Sequence, residues 1–425
     1  MDARTIWIAL GASALTLLLV ALGLNLSVAE KKVERSIERL YAVGDAQFRR
    51  SMDLLLGPPI LDGNTVETLL NGDEIFPAML AAIRSAQRTI TFETFIYWSG
   101  EIGKEFVDAL SERARAGVKT HVMLDFVGSM KMDLESIQTM RDAGVEVQRY
   151  HKPQWWHLGR MNNRTHRKTL VVDGTIGFTG GVGVADEWSG HAQDPKHWRD
   201  THFRVTGPVV AQMQSVFIDN WIKATGRVLH GALYFPPIEP AGSMGAQMFR
   251  SSPSGGSESM QLMYLMAITS ASRRIDLSSA YFVPDGLAIH ALLGAAKRGV
   301  KVRVLVPGKY TDKAVVRRAS RGIWGPMLEA GIEIAEYQPT MFHVKALIVD
   351  SCMVSVGSTN FDNRSFSIND EANLNVFDEG FAREQEEIFD EDWKHGHVIT
   401  LAEWKARPLG ERVKERLAGL VKKQL

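Results

Sequence analysis

Hydrophobic and polar residues alternate in two ways along most of this 425-residue chain. Some segments carry apolar residues at helical spacing, and others are short apolar runs rich in β-branched residues, such as 120–124 and 302–306. Segments of the two kinds follow one another in turn, which is typical of α/β units around a largely buried sheet. The pattern therefore predicts an α/β fold.

The amino terminus has a different pattern, because residues 6–28 contain no charge. A membrane-spanning helix needs about 20 apolar residues, whereas the apolar core of a cleaved signal peptide has roughly 7 to 15. The run predicts a transmembrane helix, with a signal peptide as the alternative because residues 27–29 resemble a cleavage site. Arg4 is the only basic residue before the run, and four follow between positions 31 and 39. This bias predicts that the domains after the helix are cytoplasmic.

The rest of the chain contains an internal duplication. Three segments of the first half resemble segments of the second in the same order, namely 83–90 with 268–275, 114–119 with 296–301, and 143–147 with 330–334. Solenoid repeats recur every 20 to 50 residues, so the duplicated unit is a whole domain. The length is ample for two domains of roughly 150 to 200 residues.

We therefore predict two duplicated α/β domains, each a mixed sheet flanked by helices, related by pseudo-twofold symmetry. The predicted boundaries are a transmembrane helix at 1–28, a helical stalk at 29–60, the first domain at 61–235, a linker rich in Pro, Gly and Ser at 236–257, the second domain at 258–400, and a basic amphipathic helix at 401–425. That last helix is expected to pack on the body or to lie on the bilayer.

Charge and cysteine content narrow the function classes. The formal net charge is zero, so no global field attracts nucleic acid, and no nucleic-acid partner is expected. The single cysteine, Cys352, excludes an intrachain disulfide and fits a reducing compartment.

The candidate chemistry lies in two octets, His166 to Asp173 (HRKTLVVD) and His343 to Asp350 (HVKALIVD), which share the spelling H-x-K-x4-D. On a strand, a residue and its second neighbour point to the same face, so each His and its Lys reach one pocket. Two imidazoles divide the roles of nucleophile and proton donor in displacement at a phosphodiester. Two ammonium groups stabilise the charge that develops on the phosphoryl oxygens.

Other interpretations of the octets remain open. A metal site is disfavoured because the Lys beside each His repels a cation, so neither a metal nor another cofactor is expected. A second alternative is that both histidines are ordinary core or surface residues without a catalytic role. Asp173 and Asp350 belong to the octets as catalytic candidates, but each ends an apolar run where a carboxylate often organises a turn.

An attacking imidazole needs an acceptor at its far nitrogen. Candidate acceptors follow each octet: Asp200 lies 34 residues after His166, and Glu371 lies 28 residues after His343. The alternative is that both are solvated surface carboxylates.

With these motifs the chain resembles the phospholipase D superfamily, and within it the bacterial cardiolipin synthases, over roughly residues 60 to 400. Besides the octets, the resemblance rests on 177–181 (GFTGG), 185–188 (ADEW), 198–202 (WRDTH), 280–285 (AYFVPD), 357–360 (GSTN) and 362–366 (DNRSF). One departure is Gly183, which stands where the family pattern has an Asn matching Asn360.

The resemblance implies a metal-independent, two-step transfer through a phosphatidyl-histidine. His166 would be the nucleophile and His343 the acid and then the base. The remaining implied site residues are Lys168, Lys345, Asn360 and Ser358 at the phosphate and substrate, and Asp200 and Glu371 as partners that orient the imidazoles.

The implied function is a membrane-bound phosphatidyltransferase that moves a phosphatidyl group from phosphatidylglycerol to a second lipid alcohol and releases glycerol. Phosphatidylethanolamine is a second candidate substrate, and the oligomeric state is left open. A hydrolase that releases phosphatidic acid is the alternative, followed by a phosphodiesterase or nuclease and by a non-catalytic lipid-binding scaffold.

Overall fold

The computed structural model describes residues 2–26, 33, 35–151, 162–252 and 260–421. The first helix, α1 (Ala3–Leu26), is exposed along the segment Ala3–Val20, whose mean hydropathy is 1.7. Among the described residues it is the one helix long and apolar enough to cross a membrane. The predicted transmembrane segment thus contains a continuous helix, whose apolar side chains are exposed from Ala3 to Val20.

The predicted helical stalk or linker at 29–60 is helical in only part of its described residues, and residues 29–32 and 34 lie outside them. Residues 35–45 form no helix, and the helix that follows is α2 (Ala46–Leu56), which Asp45 caps by accepting a hydrogen bond from the Gln47 N–H at 2.8 Å. Its buried apolar residues recur every fourth position from Phe48 to Leu56 and pack into the core of the second half. The helix therefore belongs to the body, because this face needs a partner.

The first half of the sheet consists of seven strands in the described chain. They are β1 (Leu61–Leu70), β2 (Thr89–Thr94), β3 (Lys119–Asp125), β4 (Glu146–Tyr150), β5 (Thr169–Val172), β6 (Ile176–Gly180) and β7 (Thr201–Thr206). Their spatial order is β4-β3-β2-β5-β6-β7-β1. The first three are parallel and the others antiparallel, so the sheet is mixed.

The second half repeats this order. Its strands are β8 (Met244–Ser251), β9 (Arg274–Ser279), β10 (Phe282–Val283), β11 (Lys301–Pro307), β12 (Glu333–Tyr337), β13 (Lys345–Val349), β14 (Met353–Gly357), β15 (Phe361–Asp362), β16 (Glu371–Phe377) and β17 (Gly396–Val398). The order is β12-β11-β9-β13-β14-β16-β8, with β17 outside β12 and β10 paired with β15 separately. The matching orders confirm the duplicated α/β fold.

The halves join where β1 pairs antiparallel with β8. Because β8 is a largely buried strand, the interpretation of 236–257 as a linker fails for 244–251. Residues 253–257 of that predicted linker lie outside the described part of the chain. Apolar side chains of both halves also share one core, including Phe203 and Val205 of the first half and Phe342 and Leu374 of the second.

Helices cover both faces of the sheet. They are α3 (Asn71–Ser85), α4 (Glu101–Arg115), α5 (Leu134–Asp142), α6 (Val210–Thr225), α7 (Met260–Ser270), α8 (Gly286–Lys297), α9 (Ala314–Gly322), α10 (Gly325–Glu329), α11 (Asn363–Ser367), α12 (Glu379–Lys394), α13 (Leu401–Lys405) and α14 (Leu409–Gly419). The predicted carboxyl-terminal helix is therefore two helices, with 422–425 outside the described residues. Ala418 of α14 packs on Val316 and Ala319 of α9, so this segment packs on the body.

Candidate active site

Both octets begin beside one cavity, at the start of a strand. His166 and Lys168 lie just before β5, and Lys345 is the first residue of β13. His166 and His343 line a common cavity of about 370 Å³. The fold thus brings together two imidazoles that are 177 residues apart in the sequence.

Each imidazole contacts a carboxylate from the opposite half. His166 Nδ1 lies 3.0 Å from both carboxylate oxygens of Glu371, and His343 Nδ1 lies 2.7 Å from Asp200 Oδ2. The order of the residues along the chain, in which each carboxylate follows its own octet, does not reveal this exchange. Both rings are held through Nδ1, which leaves Nε2 for chemistry in the cavity.

The main chain accounts for the exchange. The His166 N–H donates to the carbonyl oxygen of Asp370 at 2.8 Å, one residue before Glu371. The His343 N–H donates to the carbonyl oxygen of Arg199 at 2.8 Å, one residue before Asp200. Short parallel β-bridges between the two halves therefore place the His166 ring beside Glu371 and the His343 ring beside Asp200.

Asp200 is surrounded by donors. Its carboxylate accepts hydrogen bonds from the Trp188 indole N–H at 2.9 Å and from the Thr201 backbone N–H at 2.9 Å. Burial alone would raise the pKa of Asp200, but His343 and Lys345 outweigh burial and lower it. Asp200 is therefore ionised at neutral pH, next to His343.

Glu371 is supported by a hydroxyl and an amide. Its carboxylate accepts from Ser358 Oγ at 2.5 Å and from Asn369 Nδ2 at 3.1 Å. Burial raises the pKa of Glu371 to about 7 despite the nearby Lys168. Ser358 is fully buried behind this carboxylate and is not among the residues that line the cavity, so its predicted contact with substrate is replaced by a supporting role.

The histidines and lysines form a desolvated group. Burial, followed by Lys168, lowers the pKa of His166 well below its usual value, and burial, followed by Lys345, lowers that of His343 to about 4. Burial also lowers the pKa of both lysines, that of Lys345 to about 8. Each lysine Nζ donates to the carbonyl oxygen of the histidine two residues before it, at 2.8 Å for Lys168 and 2.5 Å for Lys345. Lys168 lines the cavity, whereas Lys345 lies behind His343.

Asp173 and Asp350 do not belong to the reacting group. Both lie at the far end of their strands with φ near 53° and 54°. Asp173 accepts three backbone N–H groups from residues 87–89, and Asp350 accepts three from 272–274. Their assignment as catalytic candidates is corrected to a turn-anchoring role, because these contacts occupy both carboxylates away from the cavity.

Of the two matching positions 183 and 360, only the second carries an amide side chain. Asn360 lines the cavity, and its Oδ1 has no hydrogen-bond partner among the described residues. At the matching position, a Cβ on Gly183 would lie 2.7 Å from the Cβ of Ile96. The first half therefore has no room for an Asn at this position.

Sequence reasoning missed several residues that hold the site. Trp188 lies in the 185–188 motif, to which no role was assigned, yet its indole binds Asp200 and its ring lies 5.3 Å from that of His343. Arg199 forms a two-point ion pair with Asp392 at 2.8 and 2.9 Å and also donates to the carbonyl oxygen of Asp200. The position of Arg199 beside Asp200 and that of Trp188 within the 185–188 motif were usable signals, but neither pattern identifies the contact that the side chain makes.

Comparisons with known proteins agree with this geometry. The family described as cardiolipin synthase, PLD-like domain, matches residues 79–194 and 264–393. Cardiolipin synthase A of Pseudomonas fluorescens (strain SBW25) is 36% identical over 373 residues, covering 88% of this chain and 77% of that protein. Cardiolipin synthase of Geobacillus kaustophilus (strain HTA426) is 35% identical over 366 residues, covering 85% of this chain and 73% of that protein.

A solved structure supports the fold. The crystal structure of phosphatidylserine synthase from Haemophilus influenzae Rd KW20 superimposes with a TM-score of 0.66 at 15% sequence identity. The superposition covers 89% of this chain and 100% of that one. At this identity the likeness concerns the fold alone.

Proposed function

The chain belongs to the cardiolipin synthase family of phospholipase D-like proteins, and we propose that it transfers a phosphatidyl group from phosphatidylglycerol to a second lipid alcohol. The observation that carries this proposal is the pair of imidazoles on one cavity, each held by a buried carboxylate. Such a pair can attack a phosphorus atom and protonate the group that leaves it.

In the proposed first step, Nε2 of His166 attacks phosphorus and the bond to the glycerol oxygen breaks. His166 is the better nucleophile because burial and two lysines keep it neutral. His343 delivers its proton to the departing oxygen, and glycerol leaves. The bound phosphodiester offsets the charge of the lysines, which raises the pKa of His343 and favours its protonated form beside the ionised Asp200.

In the proposed second step, the hydroxyl oxygen of the acceptor lipid attacks the phosphatidyl-histidine. Its proton passes to His343, and the bond between phosphorus and His166 breaks. Both catalytic groups return to their starting protonation states. In this proposal Lys168 and the Asn360 amide, which line the cavity, hold the phosphoryl oxygens, while Lys345 supplies positive charge from behind His343.

We further propose that α1 spans the inner membrane once and that the two domains are cytoplasmic. The charge bias around α1 supports this orientation. A reporter enzyme fused at the carboxyl terminus should be active only in its cytoplasmic form. Activity of a periplasmic reporter would contradict the topology without affecting the reaction.

The reaction is tested with the purified full-length chain in detergent and phosphatidylglycerol carrying a labelled acyl chain. We expect labelled cardiolipin together with stoichiometric glycerol. Phosphatidic acid as the sole product would favour the hydrolase, in which water is the acceptor. The absence of turnover would favour a lipid-binding scaffold.

A further inference from the structure

The cavity wall carries more positive charge than one phosphate requires. In addition to Lys168, the side chains of Arg164, Lys313 and Arg364 line it. Arg164 comes from the first half, two residues before His166, and the other two come from the second half. We call Arg164, Lys313 and Arg364 the outer cationic cluster.

The cluster is held in place across the halves. Arg364 donates to Asn162 twice, to Oδ1 at 3.0 Å and to the carbonyl oxygen at 2.7 Å, and Arg164 donates to the carbonyl oxygen of Asn163 at 2.6 Å. Both guanidinium groups are thus fixed to the segment that leads into the first octet. Planar, fixed guanidinium groups suit a phosphate that they bind at two points.

Charges of both signs line this cavity, with cations in excess. Burial, followed by Arg164, lowers the pKa of Arg364, and burial lowers the pKa of Lys313 although Asp312 opposes that shift. Asp312 and Asp362 offset part of the positive charge, while Asp312 also accepts from the Tyr281 hydroxyl at 2.5 Å and Asp362 caps α11. An anion in the cavity would relieve the repulsion among the three cations.

We propose that the outer cationic cluster binds the phosphate of the acceptor phospholipid while the hydroxyl of that lipid attacks at the histidine pair. This inference rests on the proposed transferase function. In a phosphatidylglycerol headgroup the free hydroxyl and the phosphate are at opposite ends of one glycerol, so both must fit in one cavity. The histidine pair and the cluster meet that requirement because they line the same cavity.

The cluster therefore determines acceptor specificity. Glycerol and water compete for the same phosphatidyl-histidine, but neither carries a phosphate. A site for the acceptor phosphate raises the occupancy of a phospholipid relative to these competitors, so the intermediate forms cardiolipin instead of returning to phosphatidylglycerol. In the transfer, the acceptor oxygen bonds to phosphorus, the bond to His166 breaks, and the acceptor proton goes to His343.

The test measures two acceptors in one mixture. Full-length protein is incubated with acyl-labelled phosphatidylglycerol and with glycerol carrying a second label, and cardiolipin formation is divided by the incorporation of labelled glycerol into phosphatidylglycerol. We expect this ratio to fall about tenfold in Arg364→Gln and further in Arg164→Gln/Arg364→Gln, since each loses charge-assisted hydrogen bonds. Lys313→Gln should lower it less, because an ammonium group binds a phosphate as a point charge and not at two points.

Glycerol incorporation reports folding in every variant, since it needs the same donor chemistry. Arg383→Gln is the matched control, because Arg383 is exposed on α12 and pairs only with Glu379 among its described partners. That control should keep the wild-type ratio.

Three outcomes separate the proposals. If the wild type forms cardiolipin but the cluster variants keep its ratio, the second phosphate site is wrong. An equal loss of both products overturns it as well, because the cations would then serve the reacting phosphate or the fold. Wild-type protein that forms phosphatidic acid without cardiolipin contradicts the transferase function itself. This outcome is measured on the wild-type protein alone.

Discussion

The two halves of the sheet share a strand order but differ in the chemistry they bring to the cavity. Asp200 of the first half is supported by an indole, whereas Glu371 of the second is supported by a hydroxyl and an amide. A side chain on Gly181 would collide with the Asp200 carboxylate, whereas at the matching position Ser358 donates to Glu371. The matching positions 181 and 358 thus carry different residues because the carboxylate beside each position makes different contacts.

Electrostatically, the two carboxylates differ in pKa, which suits the two histidines to different roles. The pKa of Asp200 is lowered and that of Glu371 is raised, although both carboxylates are fully buried beside an imidazole. The histidine beside the firmly ionised carboxylate, His343, is better suited to carry a proton, and His166 is better suited to attack. A pseudo-symmetric scaffold therefore supports an asymmetric reaction, and the following experiments test that asymmetry.

The largest effect is expected from the histidines. His166→Ala and His343→Ala should each lower cardiolipin formation by at least about 1,000-fold, because one removes the nucleophile and the other the acid and base. Only His343→Ala should retain a covalent phosphatidyl adduct, detected by mass spectrometry of a peptide containing residue 166. A chelator should leave the wild-type rate unchanged. Retained activity in either variant would remove the shared site.

The carboxylates come next, with an expected loss of roughly 10²- to 10⁴-fold in Asp200→Asn and Glu371→Gln, since each amide misorients its imidazole. A phosphatidyl ester of p-nitrophenol distinguishes the halves, because that leaving group needs no proton. Release of nitrophenol should be largely restored in Asp200→Asn but not in Glu371→Gln. The reverse pattern would exchange the roles of the two histidines.

The pH dependence should reflect Glu371. Its raised pKa, about 7, means that the carboxylate is protonated below that pH and no longer accepts the His166 Nδ1–H. We expect kcat/KM to fall about tenfold per unit below pH 7. It should fall again on the alkaline side as Lys168, with a pKa of about 7, and then Lys345, with a pKa of about 8, lose their protons. Glu371→Gln should lack the acidic limb. An acidic limb that persists in this variant would assign it to another group.

The smallest catalytic effect is expected for Asp173 and Asp350, which make the same contacts in the two halves. Asp173→Ala and Asp350→Ala each remove an acceptor of three backbone N–H groups. Each should lower the free energy of unfolding by roughly 2 kcal/mol or more, measured by denaturant titration, with kcat of the folded fraction within a few-fold of the wild type. A selective loss of kcat at full stability would restore these residues to the active site.

Local sequence patterns were sufficient for the fold class and the family. Apolar periodicity and duplicated segments predicted the α/β repeat, and the octets identified the superfamily because His and Lys act within a few residues of each other. The predicted stalk at 29–60 contains α2, but the sequence did not show that this helix packs on the body, because Phe48 and Met52 contact distant residues of the second half. Residues 244–251 were interpreted as a linker because their surroundings are rich in Gly and Ser, although they form the strand that joins the halves.

Contacts between the repeats could not be predicted in the same way. The partner of His166 is 205 residues away, and its identity depends on bridges that form only after both halves fold. The hydrogen bond from Trp188 to Asp200 could not be predicted either, because it depends on the folded path of the loop that brings the indole to the carboxylate. Asn360 was identified through the motif, but the reason for Gly183 required the position of Ile96.

The exchanged carboxylates make the two repeats mutually dependent. A fragment that ended before β8 would keep His166 but lose its acceptor, and the complementary fragment would keep His343 without Asp200. Neither piece is a smaller enzyme, and activity can return only through complementation of one by the other. Fusion of the repeats into a single polypeptide guarantees that each imidazole meets its acceptor in a one-to-one ratio, and it frees each copy to specialise.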